Sequence, residues 1–111
     1  MTEKRTEDLK GKVLEPKDLI AYQDGSVVSR MLVYKPQGTI TIFAFDAGEG
    51  LSEHTAPYDA IATIIDGEAK ITIAGKEFPM RAGQMIIMPA NIPHAVVAVQ
   101  RFKMVLTMIH A

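Results

Sequence analysis

No cysteine occurs among the 111 residues. That absence excludes disulfides, thiol catalysis and thiolate metal sites. Nor is charge of either sign in excess: 12 Lys and Arg stand against 13 Asp and Glu, a formal net charge of −1. Such a chain has no basic field with which to hold nucleic acid or an anionic membrane surface. No apolar run approaches the roughly 20 residues that cross a bilayer as a helix. The opening stretch "MTEKRTEDLKGK" is charged and lacks the apolar centre of a secretory signal. The expectation is a cytoplasmic protein with no nucleic-acid and no membrane partner.

Helical periodicity is missing too. From Val13 onward the apolar period is two, not 3.6. "TITIFAFD" (39–46) puts Thr39, Thr41, Phe43 and Phe45 on one face and Ile40, Ile42 and Ala44 on the other. "AKITIAG" (69–75) alternates Ile71 and Ile73 with Lys70 and Thr72. "RFKMVLTMIH" (101–110) places Phe102, Met104, Leu106 and Met108 on one face, with His110 following in the same register. "DAIATIID" (59–66) and "AVVAV" (95–99) are apolar on both faces, as in buried strands. "SVVSRMLVY" (26–34) is a further β-rich run, and "EPKDL" predicts one short helical turn.

Turn signals punctuate these runs at Asp24-Gly25, Gln37-Gly38, Gly48-Glu49-Gly50, Asp66-Gly67, Gly75-Lys76 and Ala82-Gly83. Short strands separated by regular turns predict an all-β sandwich or barrel. The length suits one domain. Residues 1–12 read as a charged, mobile arm and residues 13–111 as the barrel.

Two stretches carry more than fold. "GEGLSEHTAPYDAIATIIDG" (48–67) resembles the first motif of the cupins, G-x5-H-x-H-x3,4-E-x6-G. "GQMIIMPANIPHAVVA" (83–98) resembles the second, G-x5-P-x-G-x2-H-x3-N. The two lie in order, separated by 15 residues, and with their flanking strands the likeness covers Val13 to His110. It implies a double-stranded β-helix (jelly-roll) barrel.

The resemblance also implies a metal site of three histidines and a glutamate, and here the chain departs from it. The four matching positions hold His54, Ala56, Ala60 and His94, so two of four ligands are alanine. Asn91 stands at the glycine position of the second motif; Asn is the residue that best replaces Gly at positive φ. Ala98 replaces the terminal Asn. A catalytic zinc or iron site typically takes three protein ligands. His54 and His94 are the candidate metal ligands, with His110 the one further nitrogen donor and Tyr58 a neighbour of Ala60. No cofactor is required by the sequence; zinc, iron, nickel or manganese is what the resemblance allows.

Two readings follow. In the first, the barrel binds a small organic ligand without metal chemistry. Its contacts would be His54, His94, Tyr58, Ala56, Ala60, Met88, Met104 and Met108, the small alanines leaving volume that methionines and Ile64 line. In the second, the chain is a small metal-dependent enzyme of dioxygenase, decarboxylase or isomerase type. The bland alternative makes both histidines partly buried, hydrogen-bonded residues without chemistry, and the methionines core filling. Small cupins are commonly homodimers, with a strand such as "SVVSRMLVY" added to the partner's sheet, a device that would protect an apolar edge.

Overall fold

The computed structural model describes residues 9–110; residues 1–8 of the expected arm, and Ala111, lie outside the described residues. Seven strands follow one another: β1 (Val27–Lys35), β2 (Gly38–Phe45), β3 (Gly50–His54), β4 (Asp59–Ile73), β5 (Lys76–Arg81), β6 (Met85–Met88) and β7 (His94–Ile109). The predicted turn at "EPKDL" is a 3-10 helix, Pro16–Leu19, with its proline in the first turn where no N–H is needed.

The sequence divided β4 and β7 into two strands each. Instead they are single elements of 15 and 16 residues, paired antiparallel from Asp59↔Ile109 to Ile73↔His94. The Asp66-Gly67 signal is not a chain reversal. It lies within β4, where the register shifts between Ile64 and Asp66 and again between Gly67 and Ala69. Such bulges bend and twist a strand. Gly67 has φ +73, and a Cβ there would lie 1.8 Å from the Arg101 carbonyl oxygen, so only glycine fits this corner.

The bend splits the sheet into two facing layers. One runs β1, β2, the second half of β7, the first half of β4, and β6. The other runs β3, the first half of β7, the second half of β4, and β5. Between them lies one core: Phe45, Ala60, Ala62, Ile64 and Phe102 from the first layer, Ala69, Ile71, Met80, Val96 and Ala98 from the second. Phe45 and Phe102 are fully buried and stack with ring centroids 4.4 Å apart. Burying each such ring contributes roughly 1.5–3 kcal/mol. This is the all-β jelly-roll barrel that the period-two pattern and the motifs predicted.

Strand β2 is covered on both sides. Its Ile42 and Ala44 face outward into a second cluster with Ile20, closed over by Leu19 and Tyr22. Lys103 is buried here, its ammonium donating to the Lys17 carbonyl at 2.5 Å and lying 4.9 Å from the Tyr22 ring centre. Asp66, whose turn-flanking position suggests solvent, instead accepts a 2.5 Å hydrogen bond from Tyr22. Burial, then Asp66, pushes the Tyr22 phenol well above its usual pKa. A second departure concerns "AVVAV": Val97 and Val99 are 42% and 58% exposed, so that stretch is buried on one face only. Leu9, inside the stretch read as a free arm, is buried and lines an outer groove with Leu14, Leu32 and Ile40.

Because both long strands fold back at the corner, their ends meet at the opposite end of the barrel. There the connections 36–37, 55–58, 74–75 and 89–93 gather, together with His110. Backbone bonds lace this open end: Asn91 to the Ala56 carbonyl at 2.7 Å, Ala74 to Pro93 at 2.9 Å and His110 to Gln37 at 2.8 Å. The Asp59 carboxylate adds a 2.9 Å bond from the Ala90 amide.

Candidate functional site

His54 ends β3 and His94 begins β7, and the ladder sets them directly opposite each other. Their imidazole centroids are 4.4 Å apart with the ring planes at 69°, an edge-to-face pair. The two environments differ: His94 is 5% exposed, whereas His54 is exposed. Each Nδ1 donates to the carbonyl two residues earlier, His54 to Ser52 at 2.8 Å and His94 to Ile92 at 3.2 Å. Burial first, and then the nearby His54, hold the His94 pKa below the usual imidazole value, against the opposing pull of the Ile92 carbonyl. His94 is therefore predominantly neutral at pH 7.

The turn presenting His94 is built as its sequence suggests. Asn91 adopts φ +64, the left-handed conformation that motif position calls for, between Pro89 and Pro93. Strand β3 stops at His54, so the i, i+2 relation of a strand does not carry from His54 to Ala56, which is held by its carbonyl bond to Asn91. Ala60 lies on β4, 2% exposed, opposite Met88 and Met108.

The methionines divide. Met88 and Met104 are 2% and 0% exposed and belong to the packed core. Met108 is half-buried. Tyr58 and His110 find each other instead of the histidine pair, their ring centroids 4.1 Å apart and planes tilted by 31°. Among the described residues, no three His, Asp or Glu side chains gather closely enough to hold a metal ion. The donor set at the two motifs is therefore two imidazoles. It does not fit a catalytic divalent metal, which typically takes three protein ligands.

The remaining wall escaped sequence reasoning as a site. Thr39, Thr41 and Phe43 of β2 face inward opposite Met108, Leu106 and Met104. Towards the corner the inward residues Phe45, Ile64 and Phe102 are fully buried; towards the open end Thr39, Thr41, Leu106, Met108 and Ile86 keep partial exposure. These inward side chains keep accessible surface at the open end. Alternation had put Thr39 and Thr41 on the Phe43 face, and that was the available signal.

The sequence matches the Cupin domain family over residues 41–110. Among solved structures, a conserved protein of unknown function from Streptococcus pyogenes is 38% identical, with 91% of this chain and 89% of that chain covered and a TM-score of 0.87. A cupin 2 conserved barrel domain protein from Leptotrichia buccalis is 44% identical over 84% of this chain, TM-score 0.81; the chain spans only 45% of that protein. A cupin superfamily protein from Desulfitobacterium hafniense is 27% identical, with 92% and 94% covered and a TM-score of 0.87. No curated protein matches. Among the described residues, no helix is long and apolar enough to cross a membrane.

Proposed function

The chain belongs to the cupin family, and from that premise we propose that it binds a small organic ligand at the open end of the barrel, with His54 and His94 as its polar contacts. The observation that carries this reading is the 4.4 Å histidine pair itself, at the rim of a wall of inward but accessible side chains. Concave, mostly apolar sites with a few convergent polar groups are how proteins hold small molecules. Alanine stands at positions 56 and 60, where the cupin motif places metal ligands.

A second reading keeps the pair as a reduced metal site in a small enzyme. One observation favours it: imidazoles that donate Nδ1–H to carbonyls are oriented as metal-binding histidines usually are. Metal content separates the two. The protein, purified without chelator or affinity tag, is analysed by mass spectrometry beside the variant carrying His54→Ala and His94→Ala. The ligand-binding reading expects substoichiometric metal in both and small-molecule binding that the double variant loses. Stoichiometric metal lost in the variant would replace it with the enzyme reading.

Among the described residues, strand β1 ends the first layer and pairs only with β2. Its free edge supports pairing with a second copy, since unprotected edges invite strand addition. Light scattering at micromolar concentration tests this, and a monomer there would end it.

A further inference from the structure

On the outer face of the first layer one carboxylate stands in an apolar recess, and we propose that this recess binds a small organic cation, a primary ammonium on a compact aromatic or aliphatic body. The proposal goes beyond the ligand-binding reading above and does not depend on the histidine pair.

Alternation builds the recess. Ala60, Met88 and Met108 turn towards the core, so Asp59, Ile61, Ile87 and Ile109 turn outward. The ladders gather those four, with Asp59 opposite Ile109 and Ile61 opposite Ile87. The connection after β3 adds Pro57 and Tyr58 as a side wall, and the space enclosed is about 310 Å³. Ile87 and Ile109 are 61% and 47% exposed, so the apolar wall is open to a ligand rather than packed into the core. A mostly apolar hollow with one placed polar group is the usual form of a small-molecule site, and this volume lies at the small end of the roughly 300–1,000 Å³ range. It suits a molecule of one ring or one short chain.

Asp59 sets the sign of the ligand. Its Oδ1 accepts from the Ala90 amide at 2.9 Å, which fixes the carboxylate in place. Among the described residues it has no cationic partner: the ion pairs there join Lys70 to Glu77, and Arg101 to Asp24 and Asp46. A carboxylate among isoleucines repels an anion and gains one neutral hydrogen bond from an alcohol. An ammonium supplies N–H donors and the opposite charge together, the stronger pairing. The Tyr58 ring lines the same space, steadied by His110 at 4.1 Å between ring centroids. An aromatic ring beside the carboxylate favours a cation further.

Benzylammonium, benzyl alcohol and benzoate share one ring and differ in charge. The whole chain, labelled at its isoleucine δ1 methyls, is titrated with each near neutral pH and read by proton–carbon correlation. Benzylammonium should shift the Ile61, Ile87 and Ile109 methyls and leave those of the fully buried Ile42, Ile64 and Ile71 in place. It should bind about fivefold more tightly than benzyl alcohol, the upper end for a partly exposed ion pair, with benzoate weakest. Added salt should erase that preference. Asp59→Asn keeps an acceptor for the Ala90 amide and removes the charge, so it should bring benzylammonium down to the affinity of benzyl alcohol. Equal binding of the alcohol and the ammonium, shifts centred outside the recess, or a preference indifferent to salt would overturn the proposal. These three readouts use the unaltered protein, so they stand even if the variant misfolds. An Asp59→Asn protein that binds benzylammonium unchanged would overturn it as well. Nα-acetyl-lysine methylamide carries the same ammonium on a peptide unit. If it binds the recess more tightly than benzylammonium, the occupant is a lysine side chain of another protein and the assignment to a small amine fails.

Discussion

Gly67→Ala probes the corner that brings the ends of β4 and β7 to one place. Two costs fall on the new methyl. The backbone has φ +73, a left-handed conformation that costs an L-residue about 1–2 kcal/mol. The Cβ would also stand 1.8 Å from the Arg101 carbonyl oxygen and 2.8 Å from both the carbonyl carbon and the Phe102 Cα. All three atoms are β7 backbone, so no rotamer change relieves the contact. Restoring an ordinary 3.4 Å separation from 1.8 Å needs a movement of 3.4 − 1.8 = 1.6 Å between β4 and β7. That movement carries the fully buried Phe102 off its stack with Phe45. A total loss of at least about 3 kcal/mol is expected, in the range that marks a specific structural conflict. Gly83→Ala is the control: φ is +93, yet nothing lies within 4 Å, so only the conformational cost of about 1–2 kcal/mol remains. Urea unfolding followed by far-ultraviolet circular dichroism, suited to a chain without tryptophan, measures both. If the two variants lose the same stability within about 0.5 kcal/mol, the contact at the corner carries no weight and the reasoning fails.

Other sites give sharper signs than magnitudes. Among the described residues, the Nε and Nη2 atoms of Arg30 are buried without a partner while Nη1 donates to the Leu19 carbonyl at 3.0 Å. Arg30→Met, which leaves no unpaired charge against Ile20 and Ile42, should raise unfolding stability by about 1 kcal/mol, and a loss of that size would show the guanidinium is satisfied. Asp46 is held at about 2, below its ordinary 3.8, by the Arg101 guanidinium and then by the Gly25 and Ala47 amides. A depressed carboxyl contributes stability present above pH 3.8 and lost as pH falls towards 2, so Asp46→Asn should flatten the acid limb of stability in that window. For His94 the folded pKa also lies below the ordinary 6.5, so the unfolded chain takes up the proton more readily. Stability should decline as pH falls below 6.5, and His94→Gln should remove that part of the slope in pH-dependent urea titrations.

Alternation carried most of the fold because burial on a pleated strand has no other period. Phe102, Met104, Leu106 and Met108 all face the core or its open end, as read. The length of β4 and β7 was hidden because a glycine in a bulge and a glycine in a turn look alike in sequence. The parity of the inward residues does record the bulge: Ala60, Ala62 and Ile64 are even, Ala69 and Ile71 odd, so one residue has been inserted. The contacts of Asp66 and Lys103 were hidden for another reason. Their partners, Tyr22 and the Lys17 carbonyl, come from a segment with no periodicity to announce that it packs across β2.

At the site, spacing located His54 and His94 but could not supply their geometry. Strand β3 ends at His54, two residues before Ala56, so the His-x-Ala spacing does not place both side chains on one strand face. What a strand period cannot express is that β7 delivers His94 at its start and His110 just past its end to the same mouth, because the corner at Gly67 and Phe102 folds the paired strands back. The two histidines then take different partners. His94 meets His54 across the ladder, and His110 stacks on Tyr58. With alanine at positions 56 and 60, nothing at the motifs draws a third donor towards the pair. The carbonyls of Ser52 and Ile92 orient the two rings instead, each accepting from an imidazole Nδ1–H.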